Sequence, residues 1–423
     1  LIRADGKKDI LRMSSHSVSR TIRADQRIRL EPFQSWEESI HVFDEESALA
    51  VEMALAASRP LLVRGEPGSG KSQLARAAAQ VLNRCLIAEF ISSASEGQDL
   101  LWHYDPVARL SDAQTAAAEA AARAFREDEE NEEEGDEAPP EPAVPVPEIG
   151  KRKIARYKRK KSAQQQRRQL LKLLGATPDS GETDFLHPAR YLSPGPIWWA
   201  LDCVSAQRQH ERCRHSFAQP RTGSDAARRG VVLLLDEIDK ADSSLPNALL
   251  EVLGNGGFYV PLLNQTVSAP SGSPKPLVIV TTNEERELPP AFVRRCFVLH
   301  LRLDDERRLR VWWAKQAARN PVFRAEQFSP DRALVKWLAE RGEVHFENLF
   351  TPRVREKAAE LLNRDRREAQ QAGLIKPGQA EYLDLLSALH GLSGSGGGAS
   401  REQYQLSLLD KISPFALLKH PQA

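Results

Sequence analysis

At 423 residues, with 41% hydrophobic and 28% charged, the chain has the length for two domains and the composition of an ordinary globular protein. Its 59 Lys and Arg nearly balance 58 Asp and Glu, and the net charge of +1 excludes a global electrostatic drive onto nucleic acid or anionic membrane. Apolar runs such as Val231 to Leu235 are far too short to cross a bilayer, so no membrane insertion is expected.

Residues 1–34 form a basic N-terminal arm of little periodicity, expected to be mobile or packed at an edge. It lacks the apolar stretch of a secretory signal, and the expected location is cytoplasmic. The spacing of Val51, Ala54 and Leu55 predicts a helix over 44–58, and Pro60 to Arg64 predicts a short buried strand. Between that strand and a predicted helix over 73–82 runs Gly65-Glu66-Pro67-Gly68-Ser69-Gly70-Lys71-Ser72. This loop fits the phosphate-binding pattern G-x-x-x-x-G-K-[ST] at every position, and Gln73 follows it into the helix. Its glycines let successive N–H groups face inward as an anion nest at a helix N-terminus. Lys71 is expected to reach the β- and γ-phosphates, and the Ser72 hydroxyl to ligate Mg²⁺. No N-K-x-D motif for guanine occurs, so ATP is the expected nucleotide.

Ile87 to Ile91 predicts a second strand, and Ser95 to Trp102 is expected to open a helical stretch ending near Leu110. Ala-rich Asp112 to Arg126 is helix-prone. It runs into acidic Glu127 to Glu137, a Pro-rich stretch to Pro147 and a basic tract from Lys151 to Arg168. Such blocks read as a solvated insert, with a partner-docking arm and a nucleic-acid surface as alternatives. Arg190 to Leu201 predicts a turn starting an apolar helix, and Gln207 to Arg229 a polar loop. Cys203, His210, Cys213 and His215 lack the usual zinc spacing, and with Cys85 and Cys296 the cysteines read as reduced thiols.

Val231 to Leu235 reads as a fully buried strand ending in Asp236 and Glu237. Downstream of a phosphate loop, this pair is the second half of a nucleotide site: Asp236 for Mg²⁺, Glu237 to orient and deprotonate water. A helix over 245–253, a hairpin from Gly256, a buried strand over 277–281 leading to Asn283, and a strand over 298–303 follow. Strands alternating with helices predict an α/β fold with a parallel sheet, the P-loop NTPase arrangement. Helices are then expected over 304–319, 330–341, 351–372 and 377–390, a small all-helical domain. A Gly-rich linker and a tail over 391–423 close the chain, with one further helix over 401–412.

Together these motifs resemble the AAA+ ATPases, and among them the MoxR-type group with its insert in helix 2. The resemblance spans Ser35 to His390, with Gly65–Ser72 as Walker A, Asp236 and Glu237 as Walker B and Asn283 as sensor 1. Asp99-Leu100-Leu101-Trp102 and Gly195-Pro196-Ile197-Trp198 resemble the flanks of the group's insert. The implied domains are a nucleotide-binding domain over 35–303, with a charged insert at about 111–190, and a helical lid over 304–390. Arg295, with Arg294 as rival, falls at the arginine finger, although the family carries Asp where Arg294 stands and no counterpart of Cys296. Thr351-Pro352-Arg353 resembles sensor 2, which implies that Arg353 senses the γ-phosphate within its own subunit. The resemblance implies a homo-oligomeric ring, usually a hexamer, remodelling a protein partner, in that group often of von Willebrand A type. A slow ATP-dependent switch for an effector is the alternative, and nucleic-acid-stimulated hydrolysis a third.

Overall fold

The computed structural model describes residues 22–133, 186–214, 226–393 and 399–417. The expectations for the first 21 residues, the charged tracts beyond Glu133 and most of the Gly-rich linker lie outside them. In chain order the elements are β1 (Arg27–Leu30), β2 (Ser39–Val42), α1 (Glu45–Ala57), β3 (Leu61–Gly65), α2 (Lys71–Val81), β4 (Cys85–Phe90), β5 (Trp102–Tyr104) and α3 (Pro106–Glu133). Then come β6 (Leu192–Pro194), α4 (Pro196–Leu201), α5 (Cys203–Arg212), α6 (Ala226–Arg229), β7 (Val231–Asp236), α7 (Ser244–Asn255), β8 (Gly257–Val260) and β9 (Gln265–Ser268). β10 (Leu277–Thr282), α8 (Pro290–Val293), β11 (Phe297–Leu301), α9 (Glu306–Arg319), α10 (Pro330–His345), α11 (Pro352–Gln371), α12 (Gln379–Ser393) and α13 (Ala399–Leu417) complete the chain. They pack as two compact units, one drawn from 1–94, 229–247 and 274–423, the other from 95–228 and 248–273.

The first unit is built on a five-stranded parallel sheet in the order β11-β3-β10-β7-β4. The parallel sheet with its helices is consistent with a P-loop AAA+ core, and a helical region follows it. Every residue of β7 and of β10 is buried, as continuous apolar runs require when both faces of a parallel sheet are covered. β10 lies between the loop strand β3 and the acid strand β7, so the C-terminal ends of all three open on one edge. α2 lays Ala75, Ala77, Ala78 and Ala79 against this core, and α1 starts at a capping box in which Asp44 and Ser47 satisfy each other's backbone N–H. Arg27–Leu30, within the arm expected to have little periodicity, pair antiparallel with Ser39–Val42 as β1–β2. Buried Arg76 of α2 holds that pair by donating to the carbonyls of Glu31 (2.6 Å) and Glu37 (3.1 Å).

Helices α9 to α13 gather around a second apolar cluster that includes Trp313, Leu338, Leu362 and Leu386. The expected stop at Ile412 does not occur. α13 continues through Pro414 to Leu417, and both Leu409 and Leu417 are buried in the cluster.

In the second unit the helix expected from Ser95 is instead a series of turns leading into β5, which pairs with β6. The helix begins only at Pro106, where Asp105 caps it by accepting from Ala108 N–H at 2.8 Å. It runs past Leu110 to Glu133 because no Gly or Pro interrupts it. Gly195 sits so close to Asp99 that a Cβ would fall 2.5 Å from its carbonyl oxygen. Trp198 is fully buried, donates to Ser205 Oγ at 2.8 Å and meets Phe258 edge-on. The polar loop expected over 207–229 starts later, since α5 extends to Arg212, and α6 takes its last four residues.

Candidate functional site

The phosphate-loop backbone takes left-handed conformations at Gly68 (φ +71°) and Gly70 (φ +89°), where a side chain would be strained. Gly65 is required for another reason, since a Cβ there would lie 2.4 Å from the Leu301 carbonyl oxygen. Lys71 opens α2 and is buried. Its ammonium donates to the carbonyls of Gly65 and Glu66, both at 2.9 Å, and to Asn283 Oδ1 at 2.7 Å. Burial pushes the Lys71 pKa down, opposed by the carboxylates of Asp236 and Glu237. Ser69 Oγ is buried without a partner, a hydroxyl free to meet an incoming anion.

The two acids at the end of β7 join the loop. Ser72 Oγ donates to Asp236 at 2.9 and 3.0 Å from its two oxygens. Thr281 on β10 fixes both acids, donating to Asp236 Oδ1 at 2.5 Å and accepting from the Glu237 N–H at 2.9 Å. Glu237 holds a left-handed backbone (φ 61°), uncommon for a residue with a long side chain. Its carboxylate accepts from Asn283 Nδ2 at 3.1 Å and pairs with Lys240. Asn283 therefore touches Lys71 through its oxygen and Glu237 through its nitrogen. Lys71, Ser72, Asp236, Glu237 and Asn283 form one contiguous cluster.

Beside the loop opens a cavity of about 460 Å³, lined by Ser69, Gly70 and Gln73 and by apolar Ile40, Leu309 and Trp312. His41 also borders it, its Nε2 buried without a partner. Burial, and then the Arg341 guanidinium, push the His41 pKa down to about 3.

The three arginines stand apart from this cluster. Arg294 and Arg295 are exposed on the turn before β11, and Arg59 holds their backbone carbonyls at 2.7 and 3.0 Å. Arg353, at the start of α11, has a side chain 76% exposed and paired with Glu402 at 3.4 Å. The helical region reaches the loop through different cations, Arg366 and Lys376, which pair with Glu66. Neither carried a motif. The only signal was a pair of cations in helix-end and loop positions, which normally means solvated surface.

Residues 207–296 match the family described as AAA domain, dynein-related subfamily. The matched stretch takes in the acid strand, Asn283 and both candidate finger arginines, and it supports ATP-driven activity. No curated protein matches the chain. Among solved structures, a protein of Cytophaga hutchinsonii ATCC 33406 described as a candidate ATPase aligns at a TM-score of 0.29 with 11% identity. The alignment covers 88% of this chain and 79% of that one, a likeness too distant to carry an argument.

Proposed function

We propose that the chain is an ATP-hydrolysing AAA+ protein of MoxR type, working as a ring and coupling hydrolysis to remodelling or activation of a partner protein. The observation that carries the reading is the double contact of Asn283, which ties the phosphate-gripping Lys71 to the carboxylate of Glu237. In this reading 35–303 is the nucleotide-binding domain, 304–390 its lid, and the base of ATP enters the cavity beside Ile40 and Trp312.

The residues fit both ligands. The loop from Gly65 to Gln73 offers the N-terminus of α2, the Lys71 ammonium and the unpartnered Ser69 hydroxyl to a triphosphate. Ser72 and Asp236 supply the hard oxygen donors suited to Mg²⁺, which when bound would neutralise charge on the β- and γ-phosphates. Glu237 accepts the proton of the attacking water, and Asn283 holds the carboxylate in line. An arginine from the neighbouring subunit, Arg295 or its rival Arg294, stabilises the charge of the transition state. Arg353 takes part as the sensor 2 residue by exchanging Glu402 for phosphate.

The Lys240–Glu237 ion pair favours a second reading, a slow switch. A carboxylate held by an ammonium is a poor base until released, which suits a protein that waits for a partner before turning over. ATP turnover measured alone and with candidate proteins, DNA and RNA tests both readings. Absence of hydrolysis in every arm would sink them. Proteins that co-purify with a Glu237→Gln trap, von Willebrand A-type proteins among the candidates, would identify the partner.

A further inference from the structure

Glu66 occupies a position where the phosphate-loop pattern accepts any residue, so its side chain has no assigned part in gripping phosphate. That side chain is taken by two cations of the helical region. Arg366 Nη1 donates to Glu66 Oε2 at 3.0 Å, and Lys376 Nζ lies 2.8 Å from Oε1. The same cations converge on Asp304 Oδ2, at 3.0 and 2.7 Å, where the chain passes from β11 into α9. Arg366 is only 3% exposed and donates in addition to the Pro377 carbonyl at 2.6 Å. Backbone contacts close the same junction. Ala380 N–H donates to the Gly68 carbonyl at 3.3 Å, and a Cβ on Gly378 would fall 2.8 Å from the Pro67 carbonyl oxygen.

Of these four charges Arg366 is the buried one, and a buried charge persists only while its partners satisfy it. Two cations share two carboxylates here, so the loop, the β11–α9 passage and the end of α11 hold or release together. The peptide of Glu66 links this network to the site, since its carbonyl accepts from Lys71 Nζ at 2.9 Å. A triphosphate that draws the ammonium away frees that peptide to turn, and the Glu66 side chain carries the turn to Arg366 and Lys376. Arg366 lies thirteen residues along α11 from Arg353, about 20 Å at the helical rise, so the pose of α11 set at one end aims the arginine at the other.

We propose that Glu66, Arg366 and Lys376 are positioning residues that join the phosphate loop to the helical region, making the filling of the loop and the placement of α11 and α12 one coupled equilibrium. This rests on the nucleotide reading above. Coupling of this kind is reciprocal, so whatever fixes the helical region also shifts nucleotide affinity.

The test is amide hydrogen exchange over residues 366–381 of the full chain, with and without ATP, beside a direct titration with a fluorescent ATP analogue. In the wild type, ATP is expected to slow exchange across this stretch. Lys376→Gln is expected to bind the analogue within about threefold of wild type while the ATP-induced slowing falls at least fivefold, in the usual range of coupling between sites. Glu66→Gln should lose the slowing as well, and Lys376→Arg should restore it, which a merely structural lesion would not allow. Because Arg366 is buried and also holds the Pro377 carbonyl, Arg366→Gln is expected to disturb the fold of the junction, and the decision rests on the Lys376 pair. A Lys376→Gln variant that binds and retains the full slowing overturns the role assigned to these residues and leaves the nucleotide reading standing. A wild-type chain that binds no ATP overturns the nucleotide reading and the coupling with it.

Discussion

Lys71 and Asn283 lie 212 positions apart in sequence and meet at 2.7 Å. The contact exists because β10 is threaded between β3 and β7, which brings the end of a late strand against the first turn of α2. It makes the ammonium that would grip phosphate and the amide that would steer water parts of a single hydrogen-bonded chain.

Replacing Lys71 by Ala should remove the loop's main cation and leave the Asn283 oxygen without its donor. Hydrogen bonds to charged groups contribute about 1.5–3 kcal/mol, so ATP affinity is expected to fall by about 10- to 150-fold. Calorimetric titration checks the loss. Competition with GTP checks the base, and equal or better binding of GTP would overturn the ATP assignment.

Glu237→Gln should keep nucleotide and Mg²⁺ binding, because the amide preserves shape and can still meet Asn283. It cannot accept a proton, and turnover is expected to drop by about 10²–10⁴-fold. Single-turnover phosphate release measures this directly. Hydrolysis at the wild-type rate would mean that Glu237 is not the base.

For Arg295 the expectation is loss of about 10³–10⁵ in rate with ATP binding nearly kept. The turn should survive the substitution, because Arg59 holds it through the backbone carbonyls of Arg294 and Arg295, not through their side chains. Mixing Arg295→Ala with Lys71→Ala should restore activity if the finger serves a neighbouring site, since mixed rings contain interfaces with both parts sound. No rescue at any ratio would exclude action between subunits. If Arg294→Ala is dead and Arg295→Ala active, the finger is Arg294.

Two half-buried imidazoles make stability depend on pH in a stated direction. An unfolded histidine takes up its proton near pH 6.5, whereas burial pushes His41 down to about 3 and His345 to about 4. Between those limits the unfolded chain holds protons that the folded one refuses, so stability should fall as pH is lowered from 6.5 towards 4. Urea denaturation across this window should show His41→Gln with a shallower decline, by about one proton. Identical slopes would mean that His41 accepts its proton in the folded state.

The loop, the acid pair and Asn283 were legible because their chemistry demands particular residue types at strand ends. The central strands were legible because burial on both faces leaves only apolar residues. Thr281 was not, although it positions both acids, because a threonine closing a strand is what strand propensity alone provides. β1, β5 and β6 were missed because strands of three or four mixed residues carry no usable periodicity. Arg353 was chosen by motif, and its side chain points to Glu402. Arg366 and Lys376 reach the loop through a contact between distant segments that no local pattern announces.

The left-handed backbone at Glu237 sets function against thermodynamics at a single residue. Such a conformation costs of order 1 kcal/mol or more for a side chain of this kind and almost nothing for glycine. A drift to glycine would therefore relax the fold while discarding the carboxylate, and selection for robustness alone would erase the site. On the proposed function, the glutamate trades that cost for a carboxylate placed to take a proton from water.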